Sequence, residues 1–392
     1  MALSILGRDG DGDPIDAQLS RLGVGPAPEH APAPWHARLG LGWSSGGWLI
    51  LLLIGAALGP SGLEVLTPRV LSAIDPAVPV ALAALGVHVA MQAELVSPAL
   101  GARRLLAATL AAVVTALVVG GGLLWLLAGN LRDAPVHAWL IAMSGGVAAG
   151  LTLSSMAPPP GATGDGSGGR YLEAVPALLL GALLLTWVRE GEWPDAVRTL
   201  AASTMLPILV AAAAWLLMTR KASEVEQRIF SLAALLLVGG LADYLSLSAL
   251  YGGLVAGFFW RATAGQVSEA VVRDVGYMRH PLTVFLFIVA GARTTASADA
   301  SLLLAYALLA ITGCLAGRLV IQRLESTESR RRDAGGFGSG SRPLAGVLPV
   351  AFTLSVTRAA GAQAELLLAT IAVGTLLLLL FAALIFRRER VA

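Results

Sequence analysis

Residues 105–128 read LLAATLAAVVTALVVGGGLLWLLA, a stretch without a single charged side chain. A helix needs about 20 apolar residues to cross a hydrocarbon core of about 30 Å, so this stretch is long enough to span a membrane. Backbone polar groups inside lipid must be paired within their own segment, which predicts an α-helix here. The pattern recurs along the chain and decides the fold.

Composition extends this prediction to the whole chain. Of its 392 residues, 56% are hydrophobic and 13% are charged, whereas an ordinary soluble domain carries about 25% charged residues. The sequence therefore predicts an all-α, polytopic transmembrane helical bundle of about twelve spans. We place the spans near residues 43–60, 78–96, 105–128, 137–156, 172–188, 199–218, 229–243, 246–260, 282–293, 301–322, 344–358 and 365–386.

Two features of these spans need interpretation. The stretch 229–260 is too long for one crossing, and we divide it at Asp243 and Tyr244. The runs 282–293 and 344–358 are shorter than a full crossing, so they are either extended by flanking polar turns or belong to broken helices.

The basic residues predict the orientation. Of the 27 Lys and Arg residues, Arg318 lies inside a span, six lie on one side and the other twenty lie on the opposite side. Loops rich in Lys and Arg stay in the cytoplasm, so both termini are expected there. The six outer residues are Arg69, Arg132, Arg189, Arg198, Arg293 and Arg358.

Residues 1–42 differ from the rest of the chain. They hold five acidic residues, three arginines and several prolines without a continuous apolar run, a composition typical of a disordered tail. They lack the basic start and early apolar stretch of a secretory signal, so the first apolar segment is expected to remain as a span. We predict a disordered cytoplasmic tail over 1–42 and a transmembrane domain over 43–392.

Several segments together carry a resemblance. They are the Gly-Pro-Ser-Gly-Leu run at 59–63, the Leu-Gly-Val at 85–87, the segment 241–257 and the Phe-containing segment 282–291. Together they resemble the monovalent cation:proton antiporters, the family of the sodium/hydrogen exchangers. Part of this pattern has another explanation, because glycines four residues apart also allow close helix packing.

The resemblance implies an inverted-repeat, antiporter-like fold in which the fourth and eleventh helices are broken near the midplane. Gly145 and Gly146 in the fourth span and Pro349 in the eleventh are the expected break positions. Gly146 and Gly150 also form a pair of small residues four apart, for which plain helix packing is the alternative.

The resemblance also implies an ion site. In these antiporters, protons and cations compete for a carboxylate in the fifth span, and the aligned positions here read Glu173-Ala174 and, in the fourth span, Ser144-Gly145. We take Glu173, Ser144 and Arg318 as candidate ion-binding residues. The alternatives are a solvated glutamate at a helix start for Glu173 and a side chain reaching water for Arg318.

Function is expected to follow the family. The resemblance implies exchange of sodium or potassium for protons by alternating access, in a homodimer in the inner membrane of a bacterial cell. An anion or small-solute carrier on the same scaffold is one alternative, because half-helix N-termini bind negative groups. A membrane protein that has lost transport is the other, since the second carboxylate of the family's acidic pair is absent.

Other classes of function lack support in the sequence. Cys314 is the single cysteine, which excludes an internal disulfide and a cysteine-based metal cluster. The five histidines are scattered and the basic residues are dispersed, so an enzyme and a nucleic-acid partner are not expected. No cofactor or metal is predicted.

Overall fold

The computed structural model describes most of the predicted transmembrane domain. The described residues are 46–93, 98–128, 135–155, 167–190, 192–220, 223–245, 247–263, 265–294, 300–324 and 347–360, with 371 and 374. The tail predicted over 1–42 and nearly all of the last predicted span lie outside them.

Twelve α-helices make up this part of the chain, and no strand occurs in it. They are α1 (Gly46–Leu58), α2 (Pro68–Ile74), α3 (Ala77–Gln92), α4 (Pro98–Ala128), α5 (Pro135–Ser155), α6 (Ser167–Glu190), α7 (Trp193–Thr219), α8 (Glu224–Tyr244), α9 (Ala249–Thr263), α10 (Gln266–Arg293), α11 (Ala300–Leu324) and α12 (Val347–Ala360).

Several of these helices are long and apolar enough to cross a membrane. Within the described residues five pass on length and composition, in α4, α7, α8, α10 and α11. The pair α2 and α3, bent by 48° at a short break, can count as a sixth. Shorter apolar helices lie in α5, α6 and α12. The chain is therefore an all-α polytopic bundle, as the apolar runs predict.

Most helices lie close to the predicted spans, and the stretch 229–260 is divided into two helices as predicted. The helices α8 and α9 are separate, and Leu245 follows the end of α8 where its amide donates to the carbonyls of Leu241 and Asp243. The largest difference is α10, which begins at Gln266 although its apolar run begins near 282. Polar residues at its start pair with neighbouring helices, so the helix continues beyond its apolar part.

The helices pack in two groups. The α4 group contains α4, α5, α6, α11 and α12, and the α3 group contains α1, α3, α7, α8, α9 and α10; each helix makes its most extensive contacts inside its own group. The two groups meet where α6 and α12 approach α3, α7 and α10. This boundary determines where a polar cleft forms.

Glycines allow the helices within the α3 group to touch at their backbones. A Cβ on Gly86 would collide with the Leu250 carbonyl, and one on Gly253 would collide with the Ala83 carbonyl. Gly257 lies against Val87 in the same way. The helices α3 and α9 therefore run parallel in close contact, as the small-residue spacing in 253–257 indicates.

The same packing corrects one expectation from the sequence. The helix α5 continues from Pro135 to Ser155 without interruption, so the expected break at Gly145 and Gly146 is wrong. Gly146 instead lies against the Ala116 backbone of α4, and Gly145 lies against Leu123 and Tyr306. Both glycines are small because neighbouring helices approach closely there.

Pro349, the other expected break position, is the third residue of α12. Proline is tolerated in the first turn of a helix, because its missing N–H would have no partner within the helix there. The residues just before α12, 341–346, lie outside the described residues. The break expected at Pro349 therefore stays a prediction.

Adding one methyl group to Gly253 is expected to destabilise the bundle. Gly253→Ala would force α3 and α9 apart, and overpacking of this kind costs about 1–3 kcal/mol, so the melting temperature in detergent should fall by several degrees. Gly240→Ala is the matched control, because nothing lies within 4 Å of its Cβ position; its melting temperature should stay the same or rise slightly. Equal effects of both variants would contradict the packing described here.

Candidate functional site

A polar cleft of about 670 Å³, including its open mouth, lies where the two helix groups meet. Its wall comes from the end of α6, the start of α3 and α7, the turn between α8 and α9, and the end of α12. The lining residues are Pro79, Leu82, Leu185, Thr186, Thr199, Asp243, Leu247, Ser248, Ala249, Ser355 and Arg358. We call the end of the bundle at which these residues lie the cleft end.

Hydroxyl groups in the cleft wall donate their protons away from it. Thr186 donates to the carbonyls of Ala182 and Leu183, and Ser355 donates to the carbonyl of Ala351 at 3.2 Å. A hydroxyl has one proton and two lone pairs, so these oxygens retain acceptor capacity towards the cleft. Such oxygens suit a cation.

The hydroxyl proton of Thr199 is also donated within the protein. Its hydroxyl donates to the Glu190 carboxylate at 3.0 Å, which joins the start of α7 to the end of α6. With Asp243 also in the wall, acceptor oxygens make up much of the polar lining.

Arg358 forms ion pairs with two aspartates beside the cleft. Its Nη1 lies 2.7 Å from Asp75 Oδ2 and also donates to the Asp75 backbone carbonyl at 3.2 Å. Its Nη2 forms an ion pair with Asp243. A planar guanidinium can donate to two carboxylates at once, so this side chain connects two separate elements of the α3 group.

Arg293 completes a network of two arginines and two aspartates. It pairs with the same carboxylate, Asp75, that accepts from Arg358. The arginine side chains are 20% exposed, Asp75 is 32% exposed and Asp243 is 37% exposed. The network is neutral overall and only half-buried, so water and salt screen each pair.

Local structure positions each member of this network. Asp75 follows α2 at the bend into α3, and Thr67 caps the start of α2 by accepting from the Val70 amide. Arg293 and Arg358 lie in the last turns of α10 and α12, where the helix dipole favours a positive charge. Asp243 lies in the last turn of α8, where the dipole disfavours a negative charge, so the contact with Arg358 compensates it.

The predicted residues Ser144 and Arg318 do not share a site. Ser144 is fully buried in the middle of α5, next to Gly145, whose carbonyl accepts from Tyr306 at 3.4 Å. Arg318 lies twelve residues after Tyr306 on α11, which is about 18 Å along the helix. Its neighbour Gly317 lies against Leu153, near the far end of α5. The two candidates therefore lie at different depths.

Glu173 lies at a depth closer to that of Arg318. It is the seventh residue of α6, one turn before Ala177, which lies against Gly150 of α5. Because α5 and α6 are antiparallel, this places the Glu173 backbone near the level of Leu153, where Arg318 also lies. The Glu173 side chain is outside the described residues, so its pairing with Arg318 stays a prediction.

A second charged cluster lies towards the other end of α10. The Asp274 carboxylate is buried and accepts from the Ser231 hydroxyl at 2.9 Å, with Arg273 at 3.4 Å and Arg228 at 3.7 Å. This cluster joins α8 to α10. It explains how the polar first half of α10 remains helical and packed.

The sequence analysis used Asp243 only to divide the stretch 229–260 and did not connect it with Arg358. A signal was present, because the predicted orientation places Arg293 and Arg358 on the same side, and Asp75 and Asp243 flank spans at that side. No group of three metal-binding side chains occurs in the part of the chain that the structure describes.

Fold and cleft together define a multi-pass membrane protein with a polar cleft between two helix groups. No family model matches the sequence, and no curated protein matches it. Among solved structures, the chain is similar to the sodium/proton antiporter MjNhaP1 from Methanocaldococcus jannaschii, with a TM-score of 0.57 and 15% sequence identity. The match covers 94% of this chain and 96% of that one. The chain therefore has a sodium/proton antiporter-like fold.

Removing the Arg358–Asp243 pair is expected to show energetic coupling. In a double-mutant cycle of Arg358→Gln and Asp243→Asn, we expect a coupling of about 1 kcal/mol in the free energy of unfolding, at the upper end for partly exposed pairs. The coupling should decrease in 1 M salt, where the Debye length is about 3 Å. Titration of the detergent-solubilised protein with a denaturing detergent measures both.

The matched control for this cycle is Arg198 with Asp195, an ion pair of 2.7 Å on the exposed surface of α7. Pairs of this type contribute only a few tenths of a kcal/mol. A coupling at Arg358 no larger than at Arg198 would contradict a structural role for the network.

Proposed function

We propose that this protein is a secondary transporter that exchanges a monovalent cation, sodium or potassium, for protons by alternating access. The observation that carries the proposal is the antiporter-like fold, which extends over 94% of the chain. The division of the helices into two groups with a polar cleft between them supports it, because alternating access moves one part of a transporter against another.

Polar chemistry in the cleft favours a cation over an anion. Thr186, Thr199 and Ser355 each donate their hydroxyl proton within the protein, so their lone pairs remain for a ligand. Among the described residues of the cleft wall, Arg358 is the one basic side chain, and Asp75 and Asp243 already neutralise it. An anion would need hydrogen-bond donors, and these three hydroxyl groups already donate their protons within the protein.

Near the cleft residues, α6 and α12 pack closely against each other. The Phe352 ring of α12 lies against Gly181 of α6, and Phe352 is only 2% exposed. From Thr186 in the cleft to Glu173 is thirteen residues, or about 20 Å along α6. The cleft and the proposed carboxylate therefore lie at different depths along α6.

Within this proposal, Glu173 is the carboxylate for which the cation and the proton compete, and Arg318 balances its charge. Desolvation raises the energy of a lone carboxylate in lipid, so it retains either a proton or a cation. We propose that both termini lie in the cytoplasm and that the cleft end faces outwards from a bacterial inner membrane, which the excess of basic residues on one side supports.

Flux in liposomes tests the proposal. With protein in vesicles that are acidic inside, external sodium or potassium should make the lumen more alkaline, whereas the bulky cation N-methyl-D-glucamine should not. A pH-sensitive dye in the lumen reports the rate. We expect Glu173→Gln to reduce this rate at least tenfold, because the amide cannot exchange a proton for a cation.

The matched control is Glu269→Gln, since Glu269 is an exposed glutamate in the first turn of α10. Its flux should equal that of the unaltered protein. A flux that depends on the anion and not on the cation would favour the anion carrier, and no flux with any ion would favour a protein without transport activity.

A further inference from the structure

Glycine contacts show that each helix group is held together much more closely than the groups are held to each other. In the α3 group, Gly55 and Gly291 bring α1 and α10 into backbone contact, and Gly239 does the same for α8 and α3. In the α4 group, Gly146 and Gly317 have this role towards α4. Among the described glycines, every close contact with another helix α1–α12 stays within one group.

Arg358 differs from these contacts because it crosses the boundary. It belongs to α12 of the α4 group, whereas Asp243 and Arg293 belong to α8 and α10 of the α3 group and Asp75 lies two residues before α3. Of the four charged residues in the network, it alone comes from the α4 group. Its guanidinium therefore connects the two groups at the cleft end through side-chain contacts.

Arg358 also forms part of the cleft wall, and Ser355 lies three residues before it on the same face of α12. When the groups separate at this end, Arg358 must leave Asp75 and Asp243, and Arg293 remains to neutralise Asp75. The carboxylate left without a counterion is then Asp243, which faces the cleft. A cation that enters the cleft can take the place of the guanidinium there.

We infer that Arg358 is a latch: its ion pairs to Asp75 and Asp243 restrict the cleft, and a cation at Asp243 competes with it and favours opening. The role of this latch in transport rests on the proposed function, but the latch itself does not. The pairs are half-exposed, so they are strong enough to bias two states and weak enough to be broken by salt.

Thiol labelling tests the latch without any measurement of transport. The chain has one cysteine, the buried Cys314, so Cys314→Ala gives a background in which Ser355→Cys reports access to the cleft. Ser355 is buried at 7% exposure. In liposomes without ion gradients, we expect Arg358→Gln to increase the rate of labelling by a water-soluble maleimide about tenfold.

A second experiment varies the salt concentration and keeps Arg358 in place. Raising sodium chloride from 0.05 to 1 M should increase labelling of Ser355→Cys several-fold when Arg358 is present, and should have little effect once it is Gln. Arg198→Gln, on the same end but outside the network, should leave labelling unchanged. At equal ionic strength, sodium chloride should increase labelling more than N-methyl-D-glucamine chloride, because sodium can bind at Asp243 and the bulky cation cannot.

Loss of folding is distinguished by a second reporter, Thr115→Cys, because Thr115 is fully buried between α4 and α11 and donates to the Gly313 carbonyl. This site should remain unlabelled in every variant that keeps its fold. If Arg358→Gln also exposes Thr115→Cys, that variant has lost its fold. The latch is then tested by the effect of salt on the protein that keeps Arg358. The latch would be overturned if salt did not change the labelling of Ser355→Cys. It would also be overturned if Arg358→Gln left this labelling unchanged in a folded protein. Both results are independent of the flux assay.

Discussion

Helix backbones touch at glycines in this structure, and these contacts determine which helices pack together. In lipid the hydrophobic effect does not drive helices together, so packing and small residues must do so. The contacts of Gly253 with Ala83 and of Gly146 with Ala116 hold their helices at a fixed distance and register. Such contacts occur within two groups of helices, and the boundary between the groups relies on side chains.

That difference explains why the polar features gather at the boundary. A cleft can exist where backbones do not meet, and charged helix ends can reach across it. Arg358 uses this position to contact Asp75 and Asp243. The hydroxyls of Thr186 and Ser355 donate to carbonyls, and that of Thr199 donates to the Glu190 carboxylate. The proposed exchange by alternating access would move one group against the other at this boundary.

Much of the fold could be predicted from the sequence because apolar runs bounded by proline, glycine and charge determine where helices lie in lipid. The turn after Asp243 was predicted on length alone, and α8 and α9 confirm it. The polar first half of α10 could not be predicted in this way, because Asp274 is stabilised by Ser231 and Arg228 of another helix.

The candidate site was less predictable for a related reason. Resemblance pointed to Ser144, Gly145 and Gly146 as part of an interrupted helix, yet these residues serve close packing in a continuous one. The ion-pair network joins residues up to 283 positions apart, and only knowledge of which helix ends meet brings them together. Glu173 remains a prediction from sequence, supported by the depth of its backbone.

The proposed function requires the two helix groups to move relative to each other, and distances between spin labels measure this movement. Spin labels at Leu183 of α6 and Tyr244 of α8, both exposed, report on the boundary, and labels at Val197 of α7 and Tyr244 report within the α3 group. Changing pH or adding sodium should shift the first distance by several ångströms and leave the second unchanged. Identical distributions for both pairs under all conditions would show one rigid body and contradict the account.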